Sequence, residues 1–124
     1  MSMNELLLKL KKEYLADIPE KINEIASRGF KFSNGWFHGN ISRWDKFIPQ
    51  KNPRKILEVG SFEGQSICYL IEKLSDGTNL EIHSIDTWEG GIEHQAEGED
   101  MTIIEDHFDY NVKLASKNKA NIKI

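Results

Sequence analysis

Cysteine is nearly absent from this chain, and the single Cys68 leaves no partner for an internal disulfide. It stands between Ile67 and Tyr69, where a small apolar side chain serves packing. No apolar run approaches the ~20 residues that span a bilayer, and no signal-peptide pattern opens the sequence. A cytoplasmic protein without membrane association is expected. Positive charge is not in excess either: 16 Lys plus Arg stand against 20 Asp plus Glu, for a net charge of −4 and a pI near 5.6. Nucleic-acid binding draws on counterions displaced by Lys and Arg, so no nucleic-acid partner is expected. Internal repeats and low-complexity tracts are missing as well.

What is present is 124 residues, 39% of them hydrophobic. That is enough to bury one small core, yet short for an enzyme with both a cofactor half and a substrate half. Ser2-Met3-Asn4-Glu5 has the form of a capping box, followed by Leu6, Leu7, Leu10, Tyr14 and Leu15 at helical spacing. Asp17 can cap a second helix carrying Ile22 and Ile25, with Gly29 as its terminator. Phe30 to Pro49 holds Phe30, Phe32, Trp36, Phe37 and Trp44. This stretch is too irregular for a helix and too apolar for a linker, and it reads as a packed cover segment. Residues 1–50 form this helical and aromatic cover, and residues 51–124 a second unit.

The pattern changes after Asn52-Pro53. Lys55 to Val59 suits a strand buried on both faces of a parallel sheet. Gln65 onward gives a helical stripe of Ile67, Cys68, Leu70, Ile71 and Leu74, stopped by Asp76-Gly77. Leu80 to Asp86 alternates as a second strand. Residues 88–101 carry three glycines and five carboxylates and read as a long surface loop. Thr102 to Ser116 returns to helical spacing, and Asn121 to Ile124 begins a third strand. The fold class expected is α/β, a Rossmann-like three-layer sandwich ending after its third parallel strand, with an N-terminal helical extension.

The chemistry lies in Glu58-Val59-Gly60-Ser61-Phe62-Glu63-Gly64-Gln65-Ser66. Gly60 permits a sharp turn at the strand end, and Gly64 lets backbone N–H groups approach an anionic ligand group at a helix N-terminus. The spacing is G-x-x-x-G, neither the G-x-G-x-x-G of dinucleotide binders nor a P-loop, which lowers the weight of pyrophosphate ligands. Asp86, 22 residues after Gly64 at the next strand end, can accept hydrogen bonds from vicinal ribose hydroxyls. Glu58, at the tip of the first strand, suits an ammonium group better than a phosphate. An amino acid joined to a nucleoside is implied, the composition of S-adenosylmethionine.

Ile56-Leu57-Glu58-Val59-Gly60-Ser61-Phe62-Glu63-Gly64-Gln65-Ser66, followed by Ile85-Asp86-Thr87-Trp88-Glu89-Gly90-Gly91 and Glu93-His94, resembles class I S-adenosylmethionine-dependent methyltransferases, in particular the methyltransferase-24 type. Trp36-Phe37, Asn40-Ile41, Trp44 and Phe108-Asp109 with Asn111 are similar to that group's pattern, so the likeness runs over residues 30 to 124. The resemblance implies S-adenosylmethionine as cofactor and a small-molecule methyl acceptor. By it, Gly60, Ser61 and Gly64 lie against the methionine moiety, Ser66 caps the helix and contacts the carboxylate, Asp86 holds the ribose, Thr87 and Trp88 border the adenine, and Phe62 belongs to the same cofactor-binding set. Glu58 completes this cofactor set, and Glu63 is expected to stabilise the loop.

The family's acceptor side is supplied by later strands and loops, so no catalytic residue is assigned and the activity of this chain is left open. An open apolar edge at strand 55–59 is expected to recruit a second copy, giving a homo-oligomer. The alternative is a non-catalytic methyltransferase-like domain that self-associates. His83, His94 and His107, with Glu93, Asp106 and Asp109, lack any tight metal-ligand spacing, and no metal is expected. No G-x-S-x-G elbow surrounds a serine. The carboxylates of 89–100 read as a solvated loop, with a lid over the cofactor as the functional alternative.

Overall fold

Ser2 and Glu5 close the expected capping box: the Ser2 N–H donates to Glu5 Oε2 at 2.9 Å, and the Glu5 N–H donates to Ser2 Oγ at 3.1 Å. The computed structural model describes residues 2–6, 28–33, 35, 37–91 and 100–124. The two helices expected across residues 7–27 lie outside the described residues, as does most of the acidic loop.

The cover segment is more regular than expected. A 3-10 turn at His38–Asn40 leads into α1 (Ile41–Lys51), which corrects the reading of residues 30–49 as too irregular for a helix. Ile41, Trp44 and Ile48 recur at helical spacing and pack against the core. Pro49 sits in the last turn, where its missing N–H costs a single bond. Asn52 then takes a left-handed conformation (φ 43°, ψ 54°), and its N–H donates to the Ile48 carbonyl at 2.9 Å. Pro53 blocks any continuation. The helix thus runs to Lys51, one residue past the boundary expected at 50.

Three parallel strands follow, β1 (Lys55–Val59), β2 (Leu80–Ile85) and β3 (Ile122–Lys123), in the spatial order β1-β2-β3. The register pairs Lys55 with Glu81 and Val59 with Ile85, so the first two strands end level at their C-termini. Between them run α2 (Gln65–Leu74) and α3 (Ile104–Ser116), packed on each other. Ile67, Ile71 and Leu74 of α2 and Phe108, Val112 and Ala115 of α3 close over Leu80 and Ile82 of β2. At the opposite end, Arg54 ties the chain down: its guanidinium donates to Asp76 at 2.9 Å, to the Leu74 carbonyl at 2.8 Å, and to the Thr78 hydroxyl.

The protein is therefore a small α/β domain with an open, all-parallel sheet. The expectation that β1 is buried on both faces is corrected. Ile56 faces the helices, while Leu57 is 64% exposed, Val59 74% and Ile85 of β2 55%. Side chains alternate across a strand, and among the described residues only one face of the sheet carries a helical layer. No described helix is long and apolar enough to cross a membrane.

Gly64 meets two demands at once. Its φ of 82° lies in the left-handed region, and a Cβ there would stand 3.1 Å from Phe108 Cδ2. A Gly64→Ala substitution is expected to destabilise the fold by ~1–3 kcal/mol, read as a lower urea midpoint with an unchanged slope.

Candidate functional site

Parallel strands that end level bring their following loops side by side, and here those loops carry most of the residues singled out by sequence. The turn after β1 is organised by the acid after β2. Asp86 Oδ2 accepts the backbone N–H groups of Ser61 at 2.8 Å and Phe62 at 2.9 Å, and Oδ1 accepts that of Trp88 at 2.9 Å. The Gly60 N–H donates to the Ile85 carbonyl at 2.8 Å, so the sheet bonding extends one step into the loop.

This arrangement holds backbone conformations that side-chain-bearing residues rarely adopt. Phe62 has φ 47° and Trp88 φ 62°, and Gly60 has φ 84°. Both non-glycine residues donate their N–H to Asp86, whose charge-assisted bonds offset the strain. Trp88 is half-buried, its ring 5.1 Å from that of Phe108 on α3.

Glu58 lies at the same end of the sheet, where the Ser66 hydroxyl donates to its Oε2. This corrects the expected role of Ser66: the cap position is Gly64, with no side-chain cap bond, and the Ser66 hydroxyl is turned back onto the strand. Burial pushes the Glu58 carboxyl above its ordinary range. The Ser66 hydroxyl and a less well aligned Ser61 hydroxyl oppose that shift, and the Asp86 charge adds to it. Glu58 Oε1 is buried without a hydrogen-bond partner. An ammonium group placed there would satisfy that oxygen and reverse the shift.

Gly60, Ser61, Phe62 and Ser66 line a concavity of about 130 Å3, together with Phe37 from the cover segment. That is smaller than the ~300–1,000 Å3 of pockets that enclose a whole small-molecule ligand. The open N-terminus of α2 begins at its edge. Glu58, Gly64, Asp86, Thr87 and Trp88, also expected at the site, do not line this concavity; Thr87 is exposed, and its hydroxyl accepts the Glu89 N–H at 3.3 Å.

Beneath the loop lies a polar knot that sequence reasoning did not assemble: Glu63 was expected to stabilise the loop, while His107 was weighed only as a metal ligand and Asn111 only as part of the family pattern. Glu63 is fully buried. Its Oε1 accepts the Ser33 N–H and hydroxyl, each at 2.8 Å, and its Oε2 meets His107 Nδ1 at 2.8 Å. Asn111, also fully buried, donates to the carbonyls of Glu63 at 2.9 Å and Lys31 at 3.0 Å, and accepts the Lys31 N–H at 2.7 Å. Ile104, Phe108, Asn111, Val112 and Ala115 are the buried positions of α3. A polar residue within that apolar helical stripe was the legible signal for Asn111. His83, at the far edge of the metal-site question, pairs with Glu81 at 2.5 Å, and no cluster of three metal-ligating side chains occurs among the described residues. His94 and Glu93 lie outside them.

Comparison with protein-family models, with curated proteins and with solved structures finds no match to this chain.

The raised Glu58 pKa has a defined sign. The folded state keeps the proton above the unfolded carboxyl's pKa, so stability falls as pH rises from that value through the folded one. Glu58→Gln, which can still accept from Ser66, is expected to melt at a higher temperature than the parent at pH 7. The difference should shrink toward pH 4, as followed by circular dichroism.

Proposed function

We propose that this chain is the donor-binding portion of a cytoplasmic, class I S-adenosylmethionine-dependent methyltransferase of Rossmann-like fold, whose methyl acceptor is a small molecule. One observation carries the reading: Glu58, the penultimate residue of β1, and Asp86, the residue that follows β2, lie at the same end of adjacent parallel strands, beside a left-handed glycine turn that opens onto a helix N-terminus. In an open parallel sheet, ligands bind in the crevice outside the carboxyl ends of the strands. The backbone N–H groups at the start of α2 suit the ligand's carboxylate. Glu58, with its unpartnered buried oxygen, suits its ammonium. Asp86 accepts three N–H bonds within the loop, which leaves one further acceptor position for a ribose hydroxyl.

S-adenosylmethionine supplies an activated methyl group on sulfur, and the protein's task is to hold donor and acceptor in line. Glu58, Gly60, Ser61 and Gly64 would hold the amino-acid end, and Asp86 and Trp88 the nucleoside end. The chain's own residues thereby orient the donor, and no general base is assigned.

Calorimetric titration with S-adenosylhomocysteine tests this reading. Binding is expected, with a stabilisation of about 2.7 kcal/mol at a hundredfold excess over Kd. Asp86→Asn should weaken it by about tenfold, the worth of one charge-assisted hydrogen bond. A folded chain that binds no S-adenosylhomocysteine overturns the proposal.

The exposed Leu57, Val59 and Ile85, beside a β1 edge that pairs only with β2 among the described residues, favour a second reading. In it the domain self-associates through this edge and transfers no methyl group. Sedimentation equilibrium at tens of micromolar should then show a dimer, and a strictly monomeric species removes this reading.

A further inference from the structure

A larger concavity, of about 400 Å3, lies at the end of the helical layer opposite the glycine turn, beside the C-terminal turns of α2 and α3. That volume is within the ~300–1,000 Å3 of small-molecule sites, and none of its lining residues is shared with the concavity at the glycine turn. Gly29 shapes it: at φ 92° its backbone runs against α3, where a Cβ would stand 3.5 Å from Leu114 Cδ2, and this sets Arg28 and Phe30 beside the helices. Phe30 and Ala115, both buried, and the half-buried Leu114 give the concavity an apolar floor.

Its rim is cationic in a chain whose net charge is −4. Arg28, Lys117 and Lys119 stand around it with a single carboxylate, Glu72, which is paired with Arg28. The Arg28 guanidinium also lies over Phe30, 5.3 Å from the ring centroid. Lys119 Nζ donates to the Ser75 hydroxyl at 3.0 Å, and neither Lys117 nor Lys119 meets a carboxylate among the described residues. Asp76, the next acid along the chain after Glu72, is held by Arg54 at 2.9 Å. Two positive charges are therefore left without a counter-charge on one hollow. A helix C-terminus draws cations, which favours lysines near the end of α3, yet like charges gathered there repel until an anion joins them.

We propose that this concavity binds a phosphate monoester with a small apolar body, the phosphate lying between Lys117 and Lys119 and the body on Phe30, Leu114 and Ala115. A phosphate monoester near neutral pH carries a charge of about −1.5 to −2, which matches the two uncompensated lysines. A monocarboxylate leaves one of them unmatched, and a neutral ring leaves both. Arg28 keeps guanidinium N–H groups beyond the one given to Glu72, and these are further donors for phosphate oxygens. The site stands apart from the donor-site reading and does not rest on it.

The test is a titration of the full chain with phenyl phosphate near neutral pH, followed by amide NMR, beside benzoate, benzyl alcohol and inorganic phosphate as probes. Phenyl phosphate is expected to shift the amides of Phe30, Ala115 and Lys117. It should bind at least about fivefold more tightly than any of the other three, and less tightly as salt rises from about 50 to about 500 mM. The double variant Lys117→Gln with Lys119→Gln changes only exposed side chains, so it should melt with the parent and bind phenyl phosphate at least about fivefold more weakly. Lys113→Gln, an exposed change on the same helix but outside the concavity, should bind as the parent does. Benzoate or benzyl alcohol binding as tightly as phenyl phosphate, shifts confined to other parts of the chain, or undiminished binding in the folded double variant overturns the proposal. Inorganic phosphate binding as tightly as phenyl phosphate overturns the part given to the apolar floor, and with it the assignment to a monoester.

Discussion

The carboxylate of Asp86 is the interaction on which this end of the molecule depends. It gathers the N–H groups of Ser61, Phe62 and Trp88, three donors from the two loops that the level strand ends bring side by side. Bonds from N–H to an ionised oxygen are about twice as strong as neutral ones. That surplus allows Phe62 and Trp88 to sit at positive φ without glycine. The same carboxylate fixes where the glycine turn lies relative to β2, and so fixes the direction in which α2 leaves the sheet. A residue read from sequence as a ligand contact is thus first an architect of the loop, and the two roles draw on different lone pairs of one group.

A second layer of polar contacts seats the cover segment on this frame. Glu63 and Asn111 are both fully buried, and between them they hold Lys31 and Ser33 of the cover, His107 of α3 and the glycine turn itself. Burying such groups is tolerated because their bonds are closed, whereas leaving one open would be costly. The aromatic stack of Phe30 and Phe32 and the edge-on contacts of Phe37, Trp44 and Tyr69 complete the seat with apolar area. The cover is therefore held by directional bonds near the loop and by non-directional packing farther along α2.

The sheet shows the opposite condition on its other face. Leu57, Val59 and Ile85 form an apolar surface left in solvent among the described residues, although β1 reads as a doubly buried strand. Contiguous exposed apolar surface of this kind marks a place of contact with something else.

Much of the frame was legible in the residues alone. The limits of β1 and α2, the alternation of β2, the helix from Thr102 onward and the capping box at Ser2 all follow from local periodicity and turn chemistry, which need no distant partner. The grouping of Glu58, the glycine turn and Asp86 was legible for the same reason: parallel strands joined by one helix place their C-terminal ends together. Helix α1 was missed because its aromatic residues and Pro49 obscured the Ile41, Trp44, Ile48 spacing. What only the tertiary structure decided is which partner each polar group takes. Ser66 turns to Glu58 in place of capping α2, Asp86 spends three acceptor positions inside the protein, and Asn111 joins segments 48 and 80 residues apart. Local sequence sets the conformation of a segment through its own dihedrals and neighbours, whereas hydrogen-bond partners and the exposure of a sheet face depend on elements that meet only after the chain has folded.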